Sequence, residues 1–531
     1  MPIHGKDDEK RGDGQRKRSR VDDLLDLVAG AELFHTPEGE GFTRIQVGGH
    51  YENHPIRGEA LKNLLTHKYY AAIGQPPRSW VVRETLDLLE ARARYDGEEM
   101  EVHVRVTRVG NSIFLDLCDN AWRCVEVTAD GWGVTADPPI RFRRFPGMLS
   151  LPEPQRGGSV EELREFLNIS PRDFVLCVGW LLGGLSGRGP YLVLVLTGEQ
   201  GTAKTMGTRL LRNSIDPSVA ALRAPSRGER NLAIASVNSH VISFDNVSEL
   251  PKSLSDALCR IATSGGYVER ALFTDRSEVF LAACKPIVMN GISSFVTRGD
   301  LISRAIFIRC DPIPEDRRRT ERELLADFER AHPRILGALL DGVACGLREE
   351  ERISLDQKPR MADFARWVTA CEGKMPWTPK TFMSAYLENI ADATEAALED
   401  DPVAEAIQNL ATENRVWRGT AKDLLGYLDE RVTKSIRRLK EWPTTPRGLR
   451  SKLDRVVTAL RRAGVEIELG RREPTRKRAR IISIWKVDIE ADADGSDGHV
   501  PHPREHSLMI DDATTAVICE EAQIYSWENG N

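Results

Sequence analysis

The sequence predicts an α/β protein of several domains, with a parallel sheet at its centre. At 531 residues the chain is too long for one compact hydrophobic core, so it is expected to form two to four domains. Residues 189–312 contain four apolar, β-rich runs, which read YLVLVLT, HVISFDN, KPIVMNG and RAIFIRC. Such runs are typical of parallel strands covered by helices on both faces, and segments with helical spacing separate several of them.

Changes in composition and periodicity define the other parts of the chain. VDDLLDLVAGAELF, ALKNLLTHKYYAAIG and SWVVRETLDLLEARARYD have helical spacing, whereas alternation after Asp96 predicts a small antiparallel sheet. Ser159 and Ser170 are expected to cap two helices. The predicted parts are a disordered segment (1–20), an N-terminal α+β domain (21–148), the α/β domain (149–350), a helical linker (351–401), helices followed by a β-hairpin with a basic tip, a winged-helix pattern (402–488), and an acidic tail (489–531).

Charge and cysteine patterns narrow the class of protein. Net charge is −6, but residues 431–480 carry 17 lysines and arginines against 5 acidic residues, which predicts a polyanion-binding module. The nine cysteines are scattered without a CxxC pair, as expected of reduced core residues rather than zinc ligands. The first 20 residues lack an apolar run, and the stretch 174–185 is too short to span a bilayer. We therefore expect a cytoplasmic protein with no membrane partner.

A glycine-rich segment after the first apolar run carries the clearest chemistry. LVLVLT leads into GEQGTAKT and then into the helical TMGTRLLRNS, and strand, glycine loop and helix N-terminus in this order form a phosphate cradle. Lys204 is expected to contact the β- and γ-phosphates of ATP, and the Thr205 hydroxyl to bind Mg²⁺. This pattern predicts a P-loop ATPase core. The expected nucleotide-binding residues are Gly198, Glu199, Gln200, Gly201, Thr202, Ala203, Lys204 and Thr205.

One position of this segment departs from the GxxxxGK[ST] pattern. Ala203 stands where a second glycine is usual, and its Cβ is tolerated only if the residue already has helical backbone angles. The alternative for the whole segment is a tight strand-to-helix turn without a ligand.

Polar residues follow two later strands. Asp245 ends HVISFD and is expected to help hold Mg²⁺, but the next residue is Asn246, which cannot act as a base, so hydrolysis is expected to be slow or to use Glu249. Asn290 ends KPIVMN and is a candidate for orienting the attacking water, with a turn-forming role before Gly291 as the alternative.

Two arginines precede the last apolar strand. Arg304 is a candidate arginine finger acting on the γ-phosphate of a neighbouring subunit, and Arg298 is a weaker one. The alternative for either is a surface salt bridge.

Together these motifs resemble the superfamily 3 helicase branch of AAA+ ATPases, as found in the helicase half of phage and mobile-element primase-helicase proteins. The resemblance covers about residues 150–350. It implies that LCRIATSGGYVERALFTD, with Gly265, Gly266 and Arg270, forms a DNA-contacting hairpin. It also assigns Asn290 to sensor 1 and Arg304 to the finger. No primase site is visible, so a primase would be a separate chain.

The basic block of 402–488 is the second candidate for contacting DNA. Arginines and lysines recur along a predicted helix and crowd the tip of the hairpin, so their phosphate contacts would give salt-dependent affinity. A solvated basic face that meets acidic protein partners is the alternative. The candidate DNA-binding residues are Arg270, Arg447, Arg450, Arg455, Arg472, Arg476, Lys477 and Arg478.

These expectations combine into one leading hypothesis and its rivals. The leading hypothesis is an ATP-driven helicase or translocase on single-stranded or forked DNA. It would form a homo-oligomeric ring, expected to be a hexamer, and serve replication of a phage or integrated element. The rivals are an ATP-gated DNA-binding regulator and an oligomeric scaffold, both with slow hydrolysis and no unwinding.

Overall fold

The computed structural model describes most of the chain, including the whole central sheet. The described residues are 19–225, 229–263, 267–270, 278–281, 284–292, 295–296, 298–399, 401–413, 416–439, 441–472 and 480–487. The predicted disordered segment and acidic tail therefore lie outside them, apart from residues 19–20. No helix in these ranges combines the length and the apolarity needed to cross a bilayer.

The N-terminal part contains more strand than the sequence analysis predicted. Strands β1 to β4 form one sheet, β6 to β9 form an antiparallel meander, and β5 pairs with β10. The elements are α1 (Arg20–Asp26), β1 (Glu32–His35), β2 (Gly41–Val47), β3 (His50–Pro55), α2 (Glu59–Ile73), α3 (Ser79–Tyr95), β4 (Glu98–Glu99), β5 (Val102–His103), β6 (Val106–Val109), β7 (Ser112–Asp116), β8 (Cys124–Thr128), β9 (Gly131–Thr135) and β10 (Arg141–Phe142).

One prediction for this part is wrong in detail, and one hairpin was missed. The helix expected through AGAELF ends at Asp26, because the chain turns at 27–30 and continues as β1, which pairs with β2. The β2–β3 hairpin was not predicted, although Gly48 and Gly49 separate its strands. Gly48 has φ +58, a conformation that glycine adopts at no steric cost and that two-residue hairpins require.

The four apolar runs form the predicted parallel sheet, in the order β12-β15-β11-β16. This order places β15 between β11 and β12, with β16 on the other side of β11. The elements of this part are α4 (Pro171–Gly184), β11 (Val193–Thr197), α5 (Lys204–Asn213), α6 (Glu229–Asn238), β12 (Ile242–Phe244), α7 (Lys252–Thr263), β13 (Tyr267–Arg270), β14 (Glu278–Leu281), β15 (Ile287–Asn290), α8 (Gly299–Ile302) and β16 (Ala305–Arg309).

Helices cover both faces of the sheet, and both predicted caps are confirmed. Ser170 caps α4, and Ser159 caps a 3-10 helix over Val160–Phe166. The following part is helical as predicted, with α9 (Glu321–Glu349), α10 (Ala362–Cys371) and α11 (Thr381–Glu399). One hydrophobic cluster joins β11, α4, α9 and the β6–β9 meander, so the meander packs with the sheet.

A buried ion cluster also ties the N-terminal part to the central sheet. Arg105 is wholly buried, and its Nε donates to Asp216 Oδ1 at 3.0 Å, while its Nη2 donates to Leu149 O at 2.8 Å. Asp216 also accepts from the backbone of Val241 at 2.9 Å. Burial alone would raise the pKa of Asp216, but the charges of Arg105 and Arg212 outweigh it and lower that pKa.

The C-terminal part has its own hydrophobic cluster. Its strands form a three-stranded sheet, β17-β19-β18, of which β17 was not predicted. The elements are α12 (Pro402–Glu413), β17 (Val416–Thr420), α13 (Ala421–Arg431), α14 (Lys434–Arg437), α15 (Pro446–Arg462), β18 (Val465–Arg472) and β19 (Arg480–Lys486). The predicted basic helix is α15, and it contacts α8 and α11 of the preceding part.

Candidate functional site

The glycine loop, residues 198–203, connects the C-terminal end of β11 to the first residue of α5. Gly198 has φ +151, and a Cβ there would lie 2.6 Å from the carbonyl oxygen of Cys310, so only glycine fits. Gly201 has φ +87, which also favours glycine. The loop therefore turns tightly beside β16 and delivers the chain to a helix N-terminus, where backbone N–H groups and the helix dipole favour an anion.

Ala203 adopts a left-handed backbone conformation rather than a helical one. Its angles are φ +59 and ψ 25, and it is the N-cap of α5. The condition under which its Cβ would be tolerated is therefore not met. A left-handed conformation costs an L-residue about 1–2 kcal/mol relative to glycine, so the chain maintains strain at this point of the loop.

Lys204 is buried and holds the loop from within. Its Nζ donates to the carbonyl oxygen of Glu199 at 2.5 Å and to Thr202 Oγ1 at 3.2 Å. Thr202 Oγ1 in turn donates to the same carbonyl at 2.9 Å. The ammonium group is thus positioned at the centre of the loop, where an arriving phosphate would compete with these oxygens. Glu199 and Gln200 are exposed.

Asp245 lies beside Thr205, as the order of the motifs predicted. Thr205 Oγ1 donates to Asp245 Oδ1 at 2.9 Å, which joins the start of α5 to the residue after β12. The two side chains supply hard oxygen donors, the kind that Mg²⁺ prefers, and they fit the predicted magnesium site. The described residues contain no group of three or more His, Cys, Asp or Glu side chains that could hold a metal by themselves.

Asn290 is buried, and both ends of its amide are used. Its Oδ1 accepts from the backbone N–H of Asn246 at 3.1 Å, and its Nδ2 donates to Thr208 Oγ1 at 2.9 Å. Thr208 Oγ1 donates to Lys204 O at 2.8 Å. Asn290 therefore connects the ends of β15 and β12 to α5. Thr208 was missed by the sequence analysis, although its position one helical turn after Lys204 is a usable signal.

Asn246 has a left-handed backbone conformation, with φ +54, which asparagine tolerates better than most residues. Its side chain and that of Glu249 are exposed. Within the described part of the chain, neither side chain forms a hydrogen bond that would orient it toward Lys204, so the identity of the general base stays a prediction.

Arg304 lies at the opposite edge of the sheet. It precedes Ala305, which pairs with Val193 at the start of β11. Arg304 therefore lies opposite Leu192, six residues before Gly198, which places it about 20 Å from the glycine loop at roughly 3.3 Å per residue. Its Nη1 donates to Asp300 Oδ1 at 2.8 Å, and Arg360 Nη1 reaches the same oxygen at 3.0 Å. This placement excludes an action of Arg304 on the glycine loop of its own chain.

Arg298 forms a salt bridge, which was the alternative to a role as arginine finger. Its Nη2 lies 2.9 Å from Asp256 Oδ1. Arg309, at the end of β16, is a candidate for contacting a phosphate at the glycine loop, and the sequence analysis missed it. It pairs in register with Thr197, immediately before the glycine loop, and its side chain is exposed. Only the strand register, which the sequence does not specify, brings Arg309 to this edge.

The candidate DNA-binding residues of the C-terminal part divide into exposed, paired and undescribed groups. Arg447 and Arg455 are exposed on α15, and Arg455 Nε donates to Ser451 O at 3.0 Å. Arg450 Nε lies 3.4 Å from Asp454 Oδ1. Outside the described residues lie Gly265, Gly266, Arg476, Lys477 and Arg478, together with the side chains of Arg270 and Arg472.

Lys452, a further basic residue of α15, is paired with an acidic residue from another segment. Its Nζ lies 2.7 Å from Asp401 Oδ2, and both side chains are more than four-fifths buried. This ion pair attaches α15 to the start of α12 and removes one charge from the basic face.

Two family models match the chain. Residues 160–393 match the actinomycete integrative conjugative element replication protein, and residues 403–494 match the C-terminal domain of the same replication proteins. Together the matches span more than half of the chain. No curated protein matches the sequence.

Solved structures give only a distant likeness. An A-form apo structure of the NrS-1 C-terminal region is 12% identical and aligns over 88% of this chain and 100% of its own, with a TM-score of 0.38. Another apo structure of the same region is 12% identical and aligns over 88% of this chain and 99% of its own, also with a TM-score of 0.38. These scores are too low to support an argument about fold or function.

Proposed function

The chain belongs to the replication proteins of actinomycete integrative conjugative elements, and on this premise we propose that it is an ATP-dependent DNA translocase that unwinds DNA as a ring of identical subunits. The core of the proposal is a P-loop ATPase of the AAA+ type, with a winged-helix domain at its C-terminal side. The substrate on this proposal is single-stranded or forked DNA, with priming left to a separate chain.

One observation carries the proposal. Lys204, Thr205, Asp245 and Asn290 meet at the carboxyl edge of a parallel sheet, joined by hydrogen bonds. This edge lies where β11 has β15 on one side and β16 on the other, and ligands of open α/β sheets bind at such crossover points. The glycine loop, with its conformational demand for Gly198, supplies the phosphate cradle.

Each residue at this edge has a distinct role in the proposed turnover. Lys204 would leave the Glu199 carbonyl and neutralise the β- and γ-phosphates, while the α5 N-terminus binds them through backbone N–H groups. Thr205 and Asp245 would hold Mg²⁺, which supplies positive charge to the phosphate oxygens when bound. Asn290 would keep Asp245 aligned with α5 through its bonds to Asn246 and Thr208.

The position of Arg304 supports the ring in this proposal. Because Arg304 lies at the far edge of the sheet, it can meet a γ-phosphate only if that phosphate belongs to a neighbouring subunit. In the separated chain Arg304 is paired with Asp300. Burial would raise the pKa of Asp300, but the hydrogen bonds and charges of Arg304 and Arg360 lower it overall, so the carboxylate remains an ionised partner.

The decisive experiment measures ATP hydrolysis by the full chain with and without single-stranded DNA, followed by displacement of a labelled strand from a fork. We expect DNA-stimulated turnover that is abolished in Lys204→Ala. Arg304→Ala should bind ATP but fail to turn it over, and mixing it with Lys204→Ala subunits should restore part of the activity. A monomeric wild-type protein with full ATPase activity would refute the role of Arg304 in trans.

A second candidate is favoured by Asn246. An amide cannot accept a proton from water, and Asn246 stands in the position after Asp245 where a catalytic carboxylate is expected. On this reading the protein is an ATP-gated DNA-binding regulator with slow hydrolysis. ATP-dependent DNA affinity without any strand displacement would favour the regulator over the translocase.

A further inference from the structure

A cavity lies away from the glycine loop. It has a volume of about 340 Å³ and is lined by Ser186, Arg188, Gly189, Pro190, Glu350, Asp363, Phe364, Arg366 and Trp367. Gly189 and Pro190 precede β11, so the cavity is at the sheet edge opposite the one that carries Lys204. Its volume falls in the range of small-molecule sites.

Three guanidinium groups surround one buried carboxylate at this cavity. Glu350 is buried, and its two carboxylate oxygens are taken by Arg108 Nη1 and Arg188 Nη2, each at 2.8 Å. Arg366 Nη2 lies 3.8 Å from Glu350, too far for a hydrogen bond. One carboxylate is thus shared by three guanidinium groups.

Arg366 is the uncommitted member of the three. Its Nε is buried and has no hydrogen-bond partner among the described residues, and the same is true of Arg108 Nε behind it. A buried donor without an acceptor is unfavourable, so an incoming anion that accepts a hydrogen bond from this Nε would be favoured. Other atoms of the Arg366 side chain are reachable from solvent, since its exposed fraction is 41%.

The remaining walls define the kind of anion. Trp367 and Phe364 are buried and give the cavity an apolar wall, with Arg108 over the Trp367 ring at 5.5 Å from its centroid. Phe364 belongs to the first turn of α10, a helix whose N-cap, Met361, offers no side-chain hydrogen bond. Asp363 is exposed on the same turn, so the cationic side of the cavity is the one formed by Arg188 and Arg366.

We propose that this cavity binds a phosphorylated small molecule of about nucleotide size, with its phosphate on Arg366 and Arg188 and its apolar part against Trp367 and Phe364. The site is separate from the ATP site proposed at the glycine loop and does not depend on it. Glu350 keeps the guanidinium groups in place. Burial would raise the pKa of Glu350, but the hydrogen bonds from Arg108 and Arg188 lower it overall, so this carboxylate stays ionised at neutral pH.

The test is isothermal titration of the full chain with ADP and, separately, with pyrophosphate. The variants are Arg366→Gln, Arg188→Gln and the control Arg352→Gln, which removes an exposed arginine that pairs only with Glu349 in the described structure. Lys204→Ala is titrated alone and combined with Arg366→Gln. We expect Arg366→Gln to weaken one class of sites about tenfold or more, the loss expected for a charged hydrogen bond, and Arg352→Gln to bind as the wild type does.

The outcomes separate this inference from the proposed ATPase. If only the glycine loop binds nucleotide, Lys204→Ala removes all binding and Arg366→Gln changes nothing, which overturns the inference. If the glycine loop binds none, Lys204→Ala is silent, and the inference still requires the loss in Arg366→Gln. Loss of affinity for a 20-residue oligothymidylate in Arg366→Gln, with ADP binding unchanged, would also overturn it, because the cavity would then be a DNA contact.

Discussion

The hydrogen bonds of Asn290 give the sharpest quantitative test of the site. Replacing Asn290 with Ala leaves the Asn246 N–H without its acceptor and Thr208 Oγ1 without its donor. Each unsatisfied group of this kind costs about 1–3 kcal/mol. Because Thr208 Oγ1 still donates to Lys204 O, we expect a total near the lower end, a local loss of about 2–3 kcal/mol for the contact between β12, β15 and α5. Because every 1.4 kcal/mol is a factor of ten, hydrogen exchange at the Asn246 amide should become roughly 30- to 100-fold faster.

The exchange of the peptide containing Asn246, followed by mass spectrometry, measures this opening directly. Thr208→Val breaks one of the two bonds of Asn290 and should accelerate exchange by a smaller factor. The free-energy loss in the double variant should be about 1 kcal/mol smaller than the sum of the two single losses, because the two residues are in contact. Thr394→Val is the matched control, since Thr394 Oγ1 also donates to the carbonyl four residues before it, at 2.7 Å, in α11. Exchange in Asn290→Ala within threefold of wild type, with the fold intact, would refute the reasoning.

Three further predictions concern the loop, the basic helix and pH. Ala203→Gly should relieve the left-handed strain and raise the free energy of unfolding by about 0.5–1 kcal/mol, without weakening ATP binding. The control Ala262→Gly, inside α7, should lower the free energy of unfolding, and calorimetry measures both changes. Arg447→Ala should lower DNA affinity and reduce the salt slope by about one, whereas Lys452→Ala should mainly destabilise α15, because Lys452 pairs with Asp401. Burial lowers the pKa of His240 and of His332 to about 4. Between that value and the unfolded pKa of about 6.5, the unfolded chain binds more protons than the folded one, so stability falls as the pH drops through this window. Each histidine contributes a decrease of about 1.4 kcal/mol for every pH unit. Stability that does not decrease between pH 7 and 5 would contradict the last prediction, and His332→Gln should flatten the decrease.

The parallel sheet and the four residues at its edge could be predicted because both depend on local patterns. Apolar runs specify strands, and parallel strands bring the residues after their carboxyl ends to one edge, so Asp245 and Asn290 had to approach the glycine loop. The angles of Ala203 could not be predicted, since a strand-to-helix loop admits more than one conformation at that position.

Contacts that depend on strand register or on packing between distant segments could not be predicted from the sequence. Arg309 reaches the glycine loop only because β16 pairs with β11 in one register. Lys452 fits the periodicity of a solvated basic face, but its partner Asp401 is 51 residues away along the chain, and no local pattern reports that pairing. The Gly48–Gly49 hairpin, in contrast, had a readable signal, because two glycines between alternating strands are typical of a two-residue turn.

The buried ion cluster around Arg105 limits where this chain can be joined to another in a chimaera. A junction between residues 148 and 149 would separate Arg105 from Asp216, its partner across that junction. A chimaera that receives an N-terminal part without an arginine at this position would bury Asp216 with one cation fewer, at a cost of several kcal/mol. A stable chimaera must therefore carry both residues together, so the N-terminal part cannot be replaced independently of the central sheet.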